Sequence, residues 1–549
     1  MWFTSCVGML CSVVRVYPKY VIVSLALRRD AQSTRMQLTC GVHLESIAQL
    51  RSDLLNARFS VDTLTGLWGE PADAALHRGQ RVPAVRALAG PAAETPAGVL
   101  ARLFVLGMPV SAEQLAGALP ALGIDGAIQL GLVSLDRDGL RAALDLRPYS
   151  FVDAHGVGSW WIASDLGELT VGGALREDHV LGVGGASLTL SGLMVGTPVD
   201  SALDLGTGCG IQALHAARHA TRVVATDISP RALEIAALNA ELNGIRNIEF
   251  RLGSLFEPVV GERFGHIVSN PPFVITPRAE GVPSYEYRDG GMVGDALVAS
   301  VIAGLAEHLE PGGIAQLLGN WEYRDGANGA NGANGLDRVR DWVASTGLDA
   351  WVVEREVQDA ALYAETWIRD GGTRPGPEFD RLYGAWLDDF EQRGVTSVGF
   401  GYLTLRASSQ GLRRLERLDG ALNGTAGGGL GVHIAETLAA SDWQSARTDE
   451  ELGRERLELA PDVTEERHYW PGAADPTVMT LRQGGGFGRS VPLSTGLAAL
   501  VGACDGELSV RAIIAAIAQL LEVDTAALST DLLPSIRELV TTGFLRPLS

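Results

Sequence analysis

The sequence predicts an α/β protein, with an open, mostly parallel sheet in the middle of the chain and mostly helical modules on either side. Three observations lead there. Between 202 and 269 short apolar runs alternate with amphipathic stretches of helical period. A glycine turn, Gly206-Thr207-Gly208-Cys209-Gly210, follows the first of those runs. The flanking stretches 40–131 and 491–541 carry helical rather than alternating periodicity.

The first strand, 202–205, carries Asp204 into the glycine turn, and a helix follows over about 211–220. Glycines let the backbone turn tightly and approach a ligand where a Cβ would collide. A dinucleotide fingerprint needs G-x-G-x-x-G; residue 211 is Ile, so the third glycine comes one position early. The second strand, 222–226, ends in Asp227, whose carboxylate can accept hydrogen bonds from both hydroxyls of a ribose. Ser229 suits an N-cap and Pro230 the first helical position of a helix over 231–242. A third strand, 248–252, leads to Ser254-Leu255. A fourth, 266–269, delivers Asn270-Pro271-Pro272-Phe273 at its carboxyl end, where open α/β sheets bind ligands. A helix over 295–308 and the turn Pro311-Gly312-Gly313 precede a fifth strand, 314–318. Strands at 350–357 and 398–406 predict a closing antiparallel pair, and the helical insertion 359–393 between them a lid or interface.

These motifs resemble the class I S-adenosylmethionine-dependent methyltransferases, and within them the small-domain branch. That branch includes ribosomal RNA N-methyltransferases and release-factor glutamine methyltransferases. The likeness is carried by 203–211, by Asp227-Ile228-Ser229-Pro230-Arg231-Ala232-Leu233, by Asn239 and by the tetrapeptide 270–273, and it covers roughly 180–408. It implies a Rossmann-like, seven-stranded core with S-adenosylmethionine as cofactor. The implied cofactor contacts are Asp204, Gly206, Thr207, Gly208, Gly210, Asp227, Ile228, Ser254, Leu255 and Asn270. Ser254 stands where the family often has an acidic or amide residue facing the adenine amine. Gly184 and Gly185 are either cofactor neighbours or a plain turn.

An exocyclic amino group, or a carboxamide nitrogen, has its lone pair delocalised and is a poor nucleophile. The Asn270 side-chain oxygen and the Pro271 carbonyl can accept its N–H bonds and aim the lone pair, while Phe273 offers a stacking face. Asn270, Pro271, Pro272 and Phe273 are therefore the expected catalytic group, with no metal. Tyr285, Tyr287 and Arg288 either clamp a substrate or pack a lid. Cys209 reads as a space-filling residue.

The chain divides into an atypical leader (1–35), a helical, winged-helix-like domain (36–150), the methyltransferase-like domain (151–408), an irregular linker (409–490) and a small helical, winged-helix-like module (491–549). The leader holds the only lysine, Lys19, and Met36 is a plausible alternative start. The apolar run 20–27 is too short to span a bilayer, so no membrane association is expected. Five cysteines without a C-x-x-C suit a reducing, cytoplasmic setting.

Formal charge is +4 over 1–35, −2 over 36–150, −16 over 151–408 and −7 over 409–549. An acidic catalytic domain grips a long duplex poorly, because nucleic-acid affinity comes largely from neutralised phosphates. Phe273, rather than Tyr, resembles the ribosomal RNA enzymes more, which places nucleobase N-methylation (RNA before DNA) slightly ahead of glutamine-amide methylation of a protein. A silent cofactor-binding scaffold is the third reading.

Overall fold

The structure is a computed structural model that describes residues 27–29, 35–38, 41–137, 139–171, 176, 178–279, 281–282, 288–325, 335–408, 410–418 and 429–548. Its centre is a ten-stranded sheet. In chain order the strands are β1 (Leu27–Arg29), β2 (Arg35–Leu38), β3 (Val199–Leu205), β4 (Ala220–Asp227), β5 (Ile248–Leu252), β6 (Phe264–Ser269), β7 (Leu309–Arg324), β8 (Asp349–Asp359), β9 (Val395–Arg406) and β10 (Arg413–Arg417). Across the sheet they run β1-β2-β5-β4-β3-β6-β7-β9-β8-β10. The five from β5 to β7 are parallel, and β9 is antiparallel to both its neighbours.

Side chains alternate across the sheet, as a strand requires. Ala202, Val223, Ala225 and Val268 pack with helices α1 (Ile211–Ala216) and α2 (Pro230–Leu242) on one face. Leu203, Leu205, Val224 and Ile267 pack with α3 (Ala296–His308) on the other. Burial on both faces explains why these strands read as continuous apolar runs. The expected α/β core is thus present, with β5-β4-β3-β6-β7-β9-β8 as its seven strands. β7 runs well past the expected 314–318 because Asn320 and Glu322, polar letters in the sequence, stay paired to β9 as far as Arg324.

The insertion between β8 and β9 forms two helices, α4 (Ala360–Asp370) and α5 (Pro377–Gln392), whose apolar faces close over Val274 and Ile275 just beyond the tetrapeptide. At the other edge β2 pairs with β5 through Arg35–Arg251 and Met36–Phe250, so the sheet crosses the expected start at Met36. Residues 1–26, the Gly-Ala-Asn repeat over 326–334, and Tyr285 and Tyr287 lie outside the described residues.

Three readings of organisation are corrected. The boundary at 150/151 falls inside a hairpin, Asp145–Asp153 paired with Gly156–Ser164. The stretch 409–490 is not irregular: it holds the helices Gly429–Ser445 and Asp449–Arg454 and the antiparallel strands Val463–His468 and Val478–Gln483. Glycines at 429 and 431 and the mostly exposed strand Val463–His468 hid the periodicity there. The C-terminal module also starts before 491, since Arg456–Leu459 is the middle strand between Asp505–Ser509 and Leu545–Pro547. In the N-terminal module the helices Ala112–Ala118, capped by a Ser111/Gln114 box, and Gly123–Gln129 precede the strand pair Val133–Asp136/Gly139–Ala142.

Candidate active site

The site lies at the carboxyl ends of β3, β4, β5 and β6. Asp204, next to last in β3, is fully buried. Its Oδ2 accepts a hydrogen bond from Thr207 Oγ1 at 2.5 Å, and its Oδ1 has no partner among the described residues. Burial pushes this carboxyl up to about 7, and the nearby Asp227 charge adds to the rise.

The three glycines sort by surroundings. Gly206, Gly208 and Gly210 all have positive φ, at 77°, 54° and 89°. A Cβ on Gly206 or Gly208 meets nothing within 4 Å, so that backbone borders open space. A Cβ on Gly210 would stand 2.9 Å from Ala236 Cβ on α2. Gly210 therefore serves close packing of α1 against α2, and the structure does not place it with the open-space glycines.

Asp227 ties the turn to α2: its Oδ2 accepts the Gly208 N–H at 2.9 Å and its Oδ1 the Ser229 N–H at 2.9 Å. Ser229 is at the N-cap position, yet its hydroxyl makes no capping bond; the Asp227 carboxylate takes the backbone N–H instead. Ile228 is 57% exposed, an apolar surface beside that carboxylate. Ser254 is exposed and its N–H donates to Glu257 Oε2 at 3.4 Å. A carboxylate is thus present at this end of β5, three residues later than expected. Leu255 has φ of 46°, a strained backbone for a branched residue. Gly184 caps Gly185–Leu193, a helix whose Ser187 carbonyl accepts from Gln212 on α1 at 2.9 Å, and a Cβ on either glycine meets nothing.

Ser269 Oγ donates to the Leu205 carbonyl at 2.8 Å, fixing the end of β6 beside the end of β3. Asn270 is half-buried, and its Oδ1 is buried without a partner among the described residues. Pro271 is buried and Pro272 half-buried. The half-buried Phe273 ring packs 5.5 Å from Phe400 on β9 and 6.4 Å from Trp367 on α4. Arg288 turns away from this space: Nη1 donates to the Trp367 carbonyl at 2.9 Å and pairs with Asp370 at 3.5 Å, so it holds the lid helix. Cys209 is buried, with burial pushing its thiol up to about 11, as befits a space-filling residue.

Sequence reasoning missed Asn320, Tyr363, Trp367 and Phe400, which come together around Phe273 from β7, α4 and β9. Asn320 alone left a trace, as an amide within an apolar strand.

An unpaired, buried acidic oxygen beside two glycines that border open space fits S-adenosylmethionine, which brings a positive sulfonium and an ammonium group. Among the described residues there is no cluster of three or more His, Cys, Asp or Glu able to hold a metal.

Comparison with known proteins agrees with this geometry. Residues 184–323 match the family model described as methyltransferase small domain. Residues 56–143 and 435–547 match two models described as domains of unknown function, DUF7059 and DUF7782. A release factor glutamine methyltransferase of Xylella fastidiosa is 42% identical over 130 residues, 22% of this chain and 46% of its own length. A ribosomal protein uL3 glutamine methyltransferase of Bradyrhizobium diazoefficiens is 34% identical over 194 residues, 32% of this chain and 60% of its own. A crystal structure of a methyltransferase from Pyrococcus furiosus is 19% identical with a TM-score of 0.22, over 39% of this chain and 77% of that one. The chain spans about half the length of the curated relatives it matches. With the strand order, the glycine turn and the Asn270–Phe273 tetrapeptide in place, the core of this chain is a class I S-adenosylmethionine-dependent methyltransferase domain of the small-domain branch.

Proposed function

We propose that this protein transfers a methyl group to the side-chain amide nitrogen of a glutamine in a protein acceptor. The observation that carries the reading is the unpaired, buried Oδ1 of Asn270 beside the half-buried face of Phe273. One oxygen ready to accept an N–H, next to an aromatic face, suits a planar group bearing a primary nitrogen. The relatives' names favour glutamine over a nucleobase. Two arginines near the acceptor end point the same way: Arg278 is paired with Asp289 and Arg288 with Asp370. Cations already neutralised by carboxylates have little to offer phosphates.

In this reading Gly206, Thr207 and Gly208 hold the cofactor along their backbone and Asp204 faces its positive charge. Asp227, at the end of β4, accepts the Gly208 and Ser229 N–H groups, and an acidic side chain at this strand end is placed to receive ribose hydroxyls. Ile228 and Leu255 supply apolar surface for a base. When bound, S-adenosylmethionine supplies an electrophilic methyl group on a good leaving group. The chain's own part is positional: Asn270 Oδ1 accepts an N–H of the acceptor nitrogen, Phe273 fixes the amide plane, and the α4–α5 lid limits water.

The test is transfer from radiolabelled cofactor into a fractionated lysate. Label should withstand ribonuclease, be released by protease, and appear as methylated glutamine after digestion. Asn270→Ala should cut turnover by roughly 10²–10³ with cofactor affinity nearly intact, the size expected for one preorganised polar contact. Label lost to ribonuclease overturns the glutamine reading in favour of a nucleobase.

A further inference from the structure

A second buried amide lies near Phe273. Asn320 on β7 lies directly opposite Phe400 on β9, so their side chains leave the sheet on the same face. The Phe400 ring touches Phe273, which touches Trp367; Tyr363, one turn earlier on α4, lies 6.0 Å from Trp367. The Tyr363 hydroxyl accepts the Asn320 Nδ2–H at 2.7 Å and the Ile275 N–H at 3.0 Å. Tyr363 thus joins β7 to the segment that follows the tetrapeptide.

Asn320 is 2% exposed, and its Oδ1 has no hydrogen-bond partner among the described residues. Turning the amide over does not help, because one end must face Tyr363 and the other is then unpaired. A buried amide left half-satisfied is less stable than an apolar residue of the same shape. Within the fold alone, leucine would serve this strand better. Asn270 Oδ1, at the end of the adjacent strand β6, is in the same state.

We propose that Asn320 is a specificity-determining contact for the acceptor: its unpaired amide oxygen receives an N–H of the acceptor carboxamide, and Tyr363 keeps the amide turned for it. This rests on the carboxamide reading given above. A primary amide nitrogen carries two N–H bonds, one for Asn270 Oδ1 and one that Asn320 Oδ1 shares with the Pro271 carbonyl; a glutamate side chain carries none above its pKa, so the unpaired oxygens favour glutamine and repel glutamate. Tyr363, Trp367 and Phe400 all lie outside the segment that matches the family model. Selection of the acceptor is therefore partly the work of the lid helix and of β9.

The probe is N-acetylglutamine, with N-acetylglutamate, which differs only at the side-chain group, as control, titrated into the full-length protein saturated with S-adenosylhomocysteine and followed by ligand-observed NMR. Wild type should bind the amide and discriminate against the acid. Asn320→Leu should weaken amide binding at least about tenfold, the worth of one good buried hydrogen bond. S-adenosylhomocysteine affinity should change less than about twofold and the melting temperature should not fall. Tyr363→Phe leaves Asn320 in place but frees it to turn, and should weaken the amide by about three- to tenfold; it carries the test if the leucine variant is unstable. If wild type discriminates and Asn320→Leu binds the amide within about twofold of it, the inference about Asn320 is overturned while the carboxamide reading stands. If wild type binds both probes equally, or neither, the carboxamide reading fails and the Asn320 contact fails with it.

Discussion

The proposed place of Asp204 beside the cofactor predicts that binding depends on pH. Burial raises its carboxyl from 3.8 to about 7, and Thr207 holds only one of its oxygens. In the free protein about ten carboxyls in eleven are protonated at pH 6 and about one in eleven at pH 8. A sulfonium ligand favours the ionised form, so apparent affinity should be roughly tenfold tighter at pH 8 than at pH 6. Asp204→Asn keeps the shape and removes the titration. The ligand's own α-amino group also titrates, near 7.7–8.0, but equally for both proteins. The quantity to read by calorimetry is therefore the ratio of wild-type to variant affinity at pH 6, 7 and 8, which should rise about tenfold across the range. Stability moves oppositely. A carboxyl whose folded pKa is raised contributes stability that is fully present below 3.8 and is lost as pH rises through about 7. The neutral amide of Asp204→Asn has no such loss, so the variant should gain on wild type by roughly 4 kcal/mol between pH 4 and pH 8. An affinity ratio that does not change with pH, or a variant that loses ground at high pH, would refute the assignment.

The glycines give a second prediction. Gly208→Ala puts a Cβ into open space, so it should weaken cofactor binding at least tenfold while costing only about 1–2 kcal/mol of backbone strain. Gly210→Ala meets Ala236 as well as a φ of 89°, and should lower the melting temperature by more than Gly208→Ala does; equal effects on both readouts would show the sorting to be wrong. The buried pair His219–His266, with Nε2 and Nδ1 2.8 Å apart, gives the third. Burial lowers these imidazoles to about 4 and about 3. The unfolded chain takes up protons from about 6.5 downward while the folded one does not, so stability should fall as pH drops below 6.5, by on the order of 2–3 kcal/mol per histidine. Thermal scans from pH 7 to 4 should show the fall, and His266→Gln should blunt it; an unchanged slope in the variant counts against the pair.

The cofactor half of the site was legible because it is local in sequence. A strand end, a glycine turn and the next strand end lie within 25 residues, so Asp204, Gly208 and Asp227 could be offered together as candidates. What spacing could not show is which glycine faces a ligand and which faces a helix, since Gly206, Gly208 and Gly210 share positive φ and differ only in what surrounds them. Of the proposed acceptor end, the sequence offered only Asn270–Phe273. Its other wall is assembled from residues 320, 363, 367 and 400, which β7, α4 and β9 bring together and which no motif links. The flanking units were read least well. The strand Val463–His468 has five of its six residues wholly or partly exposed, and so gives no apolar pattern to find.

Asn239, which the sequence offered only as part of a motif, binds three parts of the molecule and yields the last prediction. It is fully buried on α2. Its Oδ1 accepts the Ala163 N–H at 2.7 Å, and its Nδ2 donates to the Ala163 carbonyl at 2.9 Å and to the Cys209 carbonyl at 2.8 Å. One turn later Asn243 repeats the pairing with Trp161, accepting its N–H at 2.9 Å and donating to its carbonyl at 2.8 Å. Two asparagine amides thus stand in for a neighbouring strand along the hairpin Asp145–Asp153/Gly156–Ser164, and the first also pins the glycine turn. Asn239→Ala leaves the Ala163 N–H and carbonyl and the Cys209 carbonyl buried and unpaired, at about 1–3 kcal/mol for each group. The expected loss is therefore at least about 3 kcal/mol, enough to lower the melting temperature by roughly 3 °C or more. Because one bond reaches Cys209, the same variant should weaken cofactor affinity and raise hydrogen exchange in the hairpin together. Asn243→Ala removes the hairpin bonds without touching the turn, so it should raise exchange while leaving cofactor affinity within about twofold of wild type. If both variants alter affinity equally, the hairpin rather than the Asn239–Cys209 bond transmits the effect; if neither alters stability, the amide ladder contributes nothing to holding the N-terminal module on the core.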